Sequence, residues 1–373
     1  MIPRGWKMFY AIPKKRKKKA RKIKMRKKSV IKKLLALTLT AGLLLTGCGS
    51  SDSGSASSAD AGSDASGEKS VVRVGVMTGI AEHLIAALGQ EKGIWEKNGV
   101  DLQVTEFATG VEAIGSVQTG QIDIAEIMDY AIVNRIGTTA KDTNLRIFEI
   151  NYRSATDRED TTAVTKFYVN PETVSGEDDL KGKRISVSLG TVNEYNIAKV
   201  LEKEGLTKDD VTYVPIEGIQ ANVALATNGE IDATWAGGQT AEKLIELGWT
   251  PLFSEAEIGL NSRNIGVVSD TFAKDPALEK YIKARAEIIK YYQENKDEAV
   301  SVISKKTTVK EELVKSTLDG NDYNIPLDQA ELDHLNELKE WTLNNGNYEE
   351  DFDLKSFIDT TALAKVFPDL VKI

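Results

Sequence analysis

From Val71 onward, short apolar runs alternate with longer segments in which apolar residues recur every three or four positions. The short runs have the length of buried strands, and the longer ones the period of helices packed on one face. Residues 73–76 predict a strand and 81–90 a helix. A connector at 93–100 then leads to a strand over 101–107, a helix over 111–118 and strands over 122–124 and 145–152. Residues 166–169 open a second half that repeats this order from Lys183, and 264–268 predict a strand that returns to the first half. Beyond Asp275 the pattern is helical, at 277–305, 310–318 and 327–343, with apolar stripes that predict packing on the outside of the first half. Alternating strands and helices of this kind predict an α/β fold with mostly parallel sheets.

Two stretches stand out as copies. Residues 184–188 read as a strand, Leu189-Gly190-Thr191 as a tight turn, and the residues after Val192 as a helix. Arg73 to Ile80 has the same form, with Gly79 in place of Gly190. Gly120-Gln121-Ile122-Asp123-Ile124-Ala125 likewise pairs with Gly229-Glu230-Ile231-Asp232-Ala233-Thr234. The copies lie roughly 110 residues apart, too long a period for a solenoid and about the size of a domain. A strand that turns sharply into a helix leaves backbone N–H groups pointing out of the turn, which Thr191 or Asn193 can cap and which favour an anion. Two such turns facing each other predict a cleft. Its candidate ligand contacts are Thr78, Gly79 and Ile80 in the first half and Gly190, Thr191 and Val192 in the second. Asp129 and Tyr130, after the third strand, and Trp235, in the equivalent place of the second half, join them. Local capping for Asp129 and core packing for Trp235 are the alternatives, and Phe107 is similarly ambiguous. Asp123 and Asp232 read as turn residues. Arg153 and Arg263 are candidate partners for an anionic group, whereas Glu82, Asp129, Glu194 and Glu217 favour an amine.

Charge divides the chain. Its net charge is −8, yet residues 1–47 hold 16 of the 48 Lys+Arg and none of the 56 Asp+Glu. The remainder is strongly acidic, which excludes nucleic acid as its partner. The basic run from Lys14 to Lys33 precedes an apolar segment, 34–45, of about a dozen residues, too short to span a bilayer and suited to a signal peptide. Met25-Arg26-Lys27-Lys28 makes a more usual signal start than Met1. Leu45-Thr46-Gly47-Cys48 resembles the lipobox of bacterial lipoproteins, which implies cleavage before Cys48 and a diacylglycerol on its sulfur. Residues 49–70 are Ser, Gly, Ala and Asp in the main, a flexible tether with a reach on the order of 25 Å. Cys48 is the one cysteine, and His83 and His334 are the two histidines. Cys/His nucleophilic chemistry and His-rich metal sites are therefore excluded. No catalytic residue, metal or cofactor is expected, and the protein is not read as an enzyme.

Glu91-Lys92-Gly93-Ile94-Trp95-Glu96-Lys97-Asn98-Gly99-Val100-Asp101-Leu102 closely resembles a hallmark of one group of ABC-importer solute-binding proteins. Thr119-Gly120-Gln121-Ile122-Asp123-Ile124-Ala125 and Leu180-Lys181-Gly182-Lys183-Arg184-Ile185 match the same group, and the resemblance covers about Val71 to the C-terminus. That group binds aliphatic sulfonates, taurine, nitrate or the pyrimidine precursor of thiamine. The resemblance implies a two-lobed, periplasmic-binding-protein-like (type II) α/β fold, with two mostly parallel sheets and the ligand cleft between lobes. It divides the chain into a leader (1–47), a lipidated tether (48–70), a first lobe (71–165 and 266–373) and a second (166–265). It further implies a monomer on the extracytoplasmic face of the membrane. There it would capture a small anionic or zwitterionic solute by hinge closure and deliver it to permease subunits. A binder of the thiamine pyrimidine precursor, or a secreted enzyme on the same fold, are the alternatives. Glu194 stands where many relatives carry His, and Ala236-Gly237-Gly238 follows Trp235 where they carry Trp-x-Pro.

Overall fold

Residues 69–139, 142–154 and 165–373 are described by the computed structural model; Cys48 and the leader before it lie outside the described residues. The short apolar runs become strands β1 (Ser70–Met77), β2 (Val100–Phe107), β3 (Ile124–Met128), β4 (Leu145–Ser154), β5 (Lys166–Val169) and β6 (Arg184–Val187). They are followed by β7 (Thr212–Pro215), β8 (Ala233–Ala236), β9 (Thr250–Ser254), β10 (Arg263–Ser269) and β11 (Asn321–Tyr323). The helices between them are α1 (Ala81–Glu91), α2 (Ile94–Lys97), α3 (Gly110–Gln118), α4 (Asp129–Thr139), α5 (Val192–Lys203), α6 (Ala221–Thr227) and α7 (Gly238–Glu246). A C-terminal group adds α8 (Pro276–Glu294), α9 (Lys296–Thr307), α10 (Glu311–Asp319), α11 (Gln329–Asn344) and α12 (Thr361–Val366).

The strands form a six-stranded sheet ordered β11-β4-β10-β3-β1-β2 and a five-stranded sheet ordered β7-β6-β8-β5-β9. In each, a central strand pairs in parallel with two neighbours: β1 with β2 and β3, and β6 with β7 and β8. Each sheet also takes in an antiparallel strand that arrives from the other, β10 beside β3 and β5 beside β8. The chain therefore crosses between the sheets twice.

The two copies seen in the sequence share one clamp. The Arg73 guanidinium donates to Asp123 through Nε (3.0 Å) and Nη2 (2.5 Å), and the Arg73 backbone N–H donates to the same carboxylate (2.8 Å). Arg184 repeats this on Asp232, with Nε at 3.0 Å, Nη2 at 2.8 Å and its backbone N–H at 2.9 Å. Nη1 then reaches the carbonyl of Gly120 in one copy and of Gly229 in the other. Bidentate pairing of this kind fixes direction as well as distance. It locks the chain leaving the intervening helix to the central strand before β3 or β8 begins. For the same reason β3 starts at Ile124, later than the apolar pattern predicts.

The run at 91–102 works through packing. Gly93 (φ 64°) and Gly99 (φ 75°) bracket the one-turn helix α2 in a left-handed conformation that a side chain would strain. That places Trp95 in the core, stacked on Tyr281 of α8 at 5.1 Å, with its Nε1–H on the Ala86 carbonyl. α8 is held there by Arg285, which donates to Glu82 of α1 through Nε (2.9 Å) and Nη2 (2.5 Å) and to the Asn151 carbonyl (3.0 Å). Two further carboxylates are buried around this guanidinium. Glu126 accepts from Tyr281 and Asn151, and burial holds it well above the usual carboxylate range; Glu149 is pushed up to about 7 for the same reason.

The C-terminal helices differ from their predicted role. The long helix breaks into α8 and α9 at Asn295. α10 does not merely pack on the outside: Leu313, Ser316 and Thr317 face the cavity described below. An amphipathic stripe specifies that one face is covered, not by what.

The clamp predicts a pH-dependent stability difference. Asp232→Asn removes a charge-assisted pair whose arginine is part exposed, so it should cost about 1–2 kcal/mol at neutral pH, a melting-temperature drop of a few degrees. Arg184 holds the Asp232 carboxyl below its ordinary value. Its stabilisation is therefore complete above the unfolded pKa of about 3.9 and is lost as pH falls through the lower folded value. Thermal unfolding across pH should show wild type and variant converging below about pH 4; a gap that persists there would remove the charge from the account.

Candidate functional site

The carboxyl ends of both sheets open onto one cavity of about 560 Å³. Five strand-to-helix turns reach it: β1 to α1, β2 to α3, β6 to α5, β7 to α6 and β8 to α7. The turn from α9 to α10 reaches it as well, where Thr308 takes a left-handed backbone (φ 62°). Met77, Ile80, Met128, Ile219, Val223, Leu313 and Trp235 make much of the wall apolar.

The turns that should attract an anion are largely occupied by the chain's own side chains. At α1, the Gly79 N–H donates to His83 Nδ1 (3.1 Å) and the Thr78 hydroxyl to Glu106 (2.5 Å). Burial lowers the pKa of His83, which suits an imidazole that accepts this bond. At α3, Thr109 and Glu112 form a capping box, with the Ala108 and Thr109 N–H groups on the Glu112 carboxylate. At α5, Thr191 Oγ1 accepts from the Asn193 N–H, and the Gly190 N–H donates to Glu194 (2.8 Å). The N-terminus of α7 has no side-chain cap, and Gly238, Gln239 and Thr240 of its first turn line the cavity. Carboxylates thus stand at both turns read from sequence as anion cradles, Glu106 at α1 and Glu194 at α5, and Glu112 stands at a third turn.

Among the described residues, Lys243 and Glu255 are the only acidic or basic side chains that line the cavity. Lys243 is exposed on α7. Glu255 is buried between the two crossing segments. It accepts from Thr165 Oγ1 (3.1 Å), Asn196 Nδ2 (3.2 Å), Ser262 Oγ (3.0 Å) and the Ser262 N–H (3.5 Å). Burial raises its pKa.

Of the residues singled out from sequence, Thr78, Gly79, Ile80, Thr191, Val192 and Trp235 line this cavity. Asp129, Tyr130 and Gly190 do not. α4 begins at Asp129 itself, so the helix turns both side chains away. Asp129 accepts from the Arg263 N–H (2.8 Å) and contacts His334 Nε2 (2.8 Å). Tyr130 is buried and stacks on Tyr195 at 5.4 Å. Gly190 (φ 75°) supplies the turn, facing Val111 and Asn134. The two candidate arginines are spent elsewhere, Arg263 on Glu331 (2.7 Å) and Arg153 near Asp322 and Glu331. Glu82 belongs to Arg285, and Phe107 lies off the cavity against the core of the larger sheet. Sequence reasoning missed Glu255, Lys243, Thr109 and α10. The one pointer to Glu255 was its place in the segment that crosses back to the larger sheet.

Two sheets joined by two crossings around a shared cavity define the two-lobed fold of periplasmic binding proteins. The alkanesulfonate-binding protein SsuA of Xanthomonas axonopodis pv. citri, solved bound to MOPS, superposes with a TM-score of 0.64 at 16% identity, covering 79% of this chain and 99% of that one. The desulfurization enzyme DszB superposes with a TM-score of 0.57 at 15% identity over 81% and 99%. At these identities the likeness establishes the fold, which serves binding proteins and an enzyme alike. The chain belongs to the NMT1/THI5-like family, whose profile matches residues 80–299. A Brucella abortus (strain 2308) protein named as a binding protein, with no ligand stated, is 30% identical over 162 residues. This match covers 43% of the chain and 46% of that protein, so the chain spans less than half the length of the curated relatives it matches.

Trp235 carries a testable role. It is buried, lines the cavity, and its Nε1–H has no partner among the described residues. An unpaired buried donor is costly, so Trp235→Phe should leave the ligand-free melting temperature within a few degrees of wild type. A ligand that accepts from this group should lose about two- to tenfold in affinity, read by calorimetric titration. Unchanged affinity would assign Trp235 to the core alone.

Proposed function

We propose that the chain is an extracytoplasmic solute-binding lipoprotein of an ABC importer. It captures a small solute between its two sheets and hands it to the permease. The observation that carries this reading is the cavity of about 560 Å³, lined from both sheets and from both crossing segments. Its volume falls in the range of sites for small organic molecules, and the crossings are where a hinge would act. The family resemblance suggests a sulfonate-, taurine- or nitrate-like solute. The aminopyrimidine alternative gains from the cavity itself, which among the described residues is lined by no arginine or histidine and offers far more room than nitrate needs. Binding, not catalysis, is the proposed role, by a monomer whose acidic body does not engage nucleic acid. No helix among the described residues is long and apolar enough to cross a membrane, and attachment is assigned to a lipid on Cys48.

Two experiments test the reading. Native mass spectrometry of protein purified without denaturation should retain an unchanged small molecule; turnover of that molecule would favour an enzyme instead. The same molecule at 100 times its Kd should stabilise the native state by about 2.7 kcal/mol and shrink the radius of gyration in solution scattering. Tight binding with no compaction would count against hinge closure. Separately, Cys48→Ser should release the protein from the membrane fraction or leave its leader uncleaved, because two acyl chains on one glycerol make attachment stable. Unchanged membrane attachment and acyl mass in the variant would refute the anchor.

A further inference from the structure

Five of the seven buried carboxylates among the described residues lie beside or in the field of an arginine. Glu82 pairs with Arg285, and Glu126 and Glu149 lie in the field of the same guanidinium. Asp232 pairs with Arg184, Glu331 with Arg263, and Asp129 faces His334. Glu255 is the exception. Its four contacts come from two hydroxyls, an amide and a backbone N–H, and it is the buried carboxylate that lines the cavity. Neutral donors satisfy its oxygens without supplying the opposite charge that makes a buried ion tolerable.

We infer that Glu255 is the recognition point for a cationic head group, a protonated amine or amidine, on the solute. This rests on the capture reading above and names the charge of what is captured. The surroundings agree with it. Glu106, Glu112 and Glu194 place negative charge at three of the five strand-to-helix turns and use the N–H groups or hydroxyl that an anion would need. Among the described residues the one cation lining the cavity, Lys243, is exposed on α7. A sulfonate at the floor would meet a buried carboxylate; an ammonium group would complete it. Burial raises the pKa of Glu255 for want of such a partner, and a bound cation would reverse that direction. The position also has a mechanical consequence. Thr165 and Ser262, which donate to Glu255, stand on the two different crossings, so the group that reads the solute joins the segments about which the halves would turn.

The test uses four probes with one tail and different heads: hexylammonium, 1-hexanol, hexanoate and hexane-1-sulfonate, titrated calorimetrically into the purified protein. Hexylammonium should bind at least about tenfold more tightly than hexane-1-sulfonate. Glu255→Gln keeps a side chain of the same shape with one carbonyl acceptor. It should weaken hexylammonium by at least about tenfold and 1-hexanol by less than about threefold. The wild-type series decides by itself if that variant fails to fold. A series led by hexane-1-sulfonate, or a Glu255→Gln variant that binds hexylammonium as well as wild type, would overturn the cation assignment while leaving solute capture standing. Failure of all four probes would overturn both.

Discussion

Arg73 and Arg184 each reach from a central strand to an aspartate that stands just before the neighbouring parallel strand. In a parallel sheet the connection between paired strands is a whole helix, and the lateral register of that helix is set mostly by apolar packing, which is non-directional. The guanidinium fork adds direction. It also binds the carbonyl at the end of the preceding helix, so helix, turn and strand are fastened at one point in each half. The opposite ends of the same central strands carry the turns into α1 and α5. Where those turns stand relative to one another is what gives the cavity its shape.

The repeat was legible because its ingredients are local. Alternation marks the strands, and Gly79 (φ 82°) and Gly190 (φ 75°) mark turns that need a left-handed residue. Five of the residues chosen at those turns, Thr78, Gly79, Ile80, Thr191 and Val192, line one cavity. Asp129 and Tyr130 illustrate where locality ends. Following a strand places a residue near the cleft, but a helix that starts at once decides which way its side chain points, and that cannot be read from adjacency. α10 shows the same limit on a larger scale, since its apolar stripe is equally consistent with covering a sheet and walling a cavity. Glu255 had no pattern to betray it beyond its place in the returning segment. Its meaning comes from a long-range census of which buried acids have cations, and only three dimensions supply one.

The charges of the site also correct the expectation drawn from helix termini. A strand-to-helix turn exposes N–H groups by geometry, yet this chain meets them with His83, Glu112 and Glu194. Glu194 places an anionic neighbour at the start of α5, and its carboxylate takes the Gly190 N–H. The same fold can therefore present opposite electrostatics through single positions at its turns, which is why a fold shared with SsuA does not carry its ligand across.

Contacts between the halves also exist away from the cavity, and they set what a solute must achieve. Tyr195 of α5 stacks on Tyr130 of α4 and meets Trp341 of α11 edge-on at 4.9 Å, while the Trp341 Nε1–H donates to Glu202 of α5 (2.7 Å). Lys310 pairs with Glu242 of α7 at 2.8 Å. Aromatic pairs contribute about 0.5–1.5 kcal/mol beyond area burial, and a solvent-exposed ion pair adds little to them. If the halves rotate apart on release, these contacts break with the cavity, so part of the closing free energy is present before any solute arrives. A solute then shifts the balance only by its preference for the closed form. Under the proposed capture that preference need not come from many contacts: one charge answered at Glu255, which is bonded to Thr165 and Ser262 on the two crossings, would act on the segments a hinge would use.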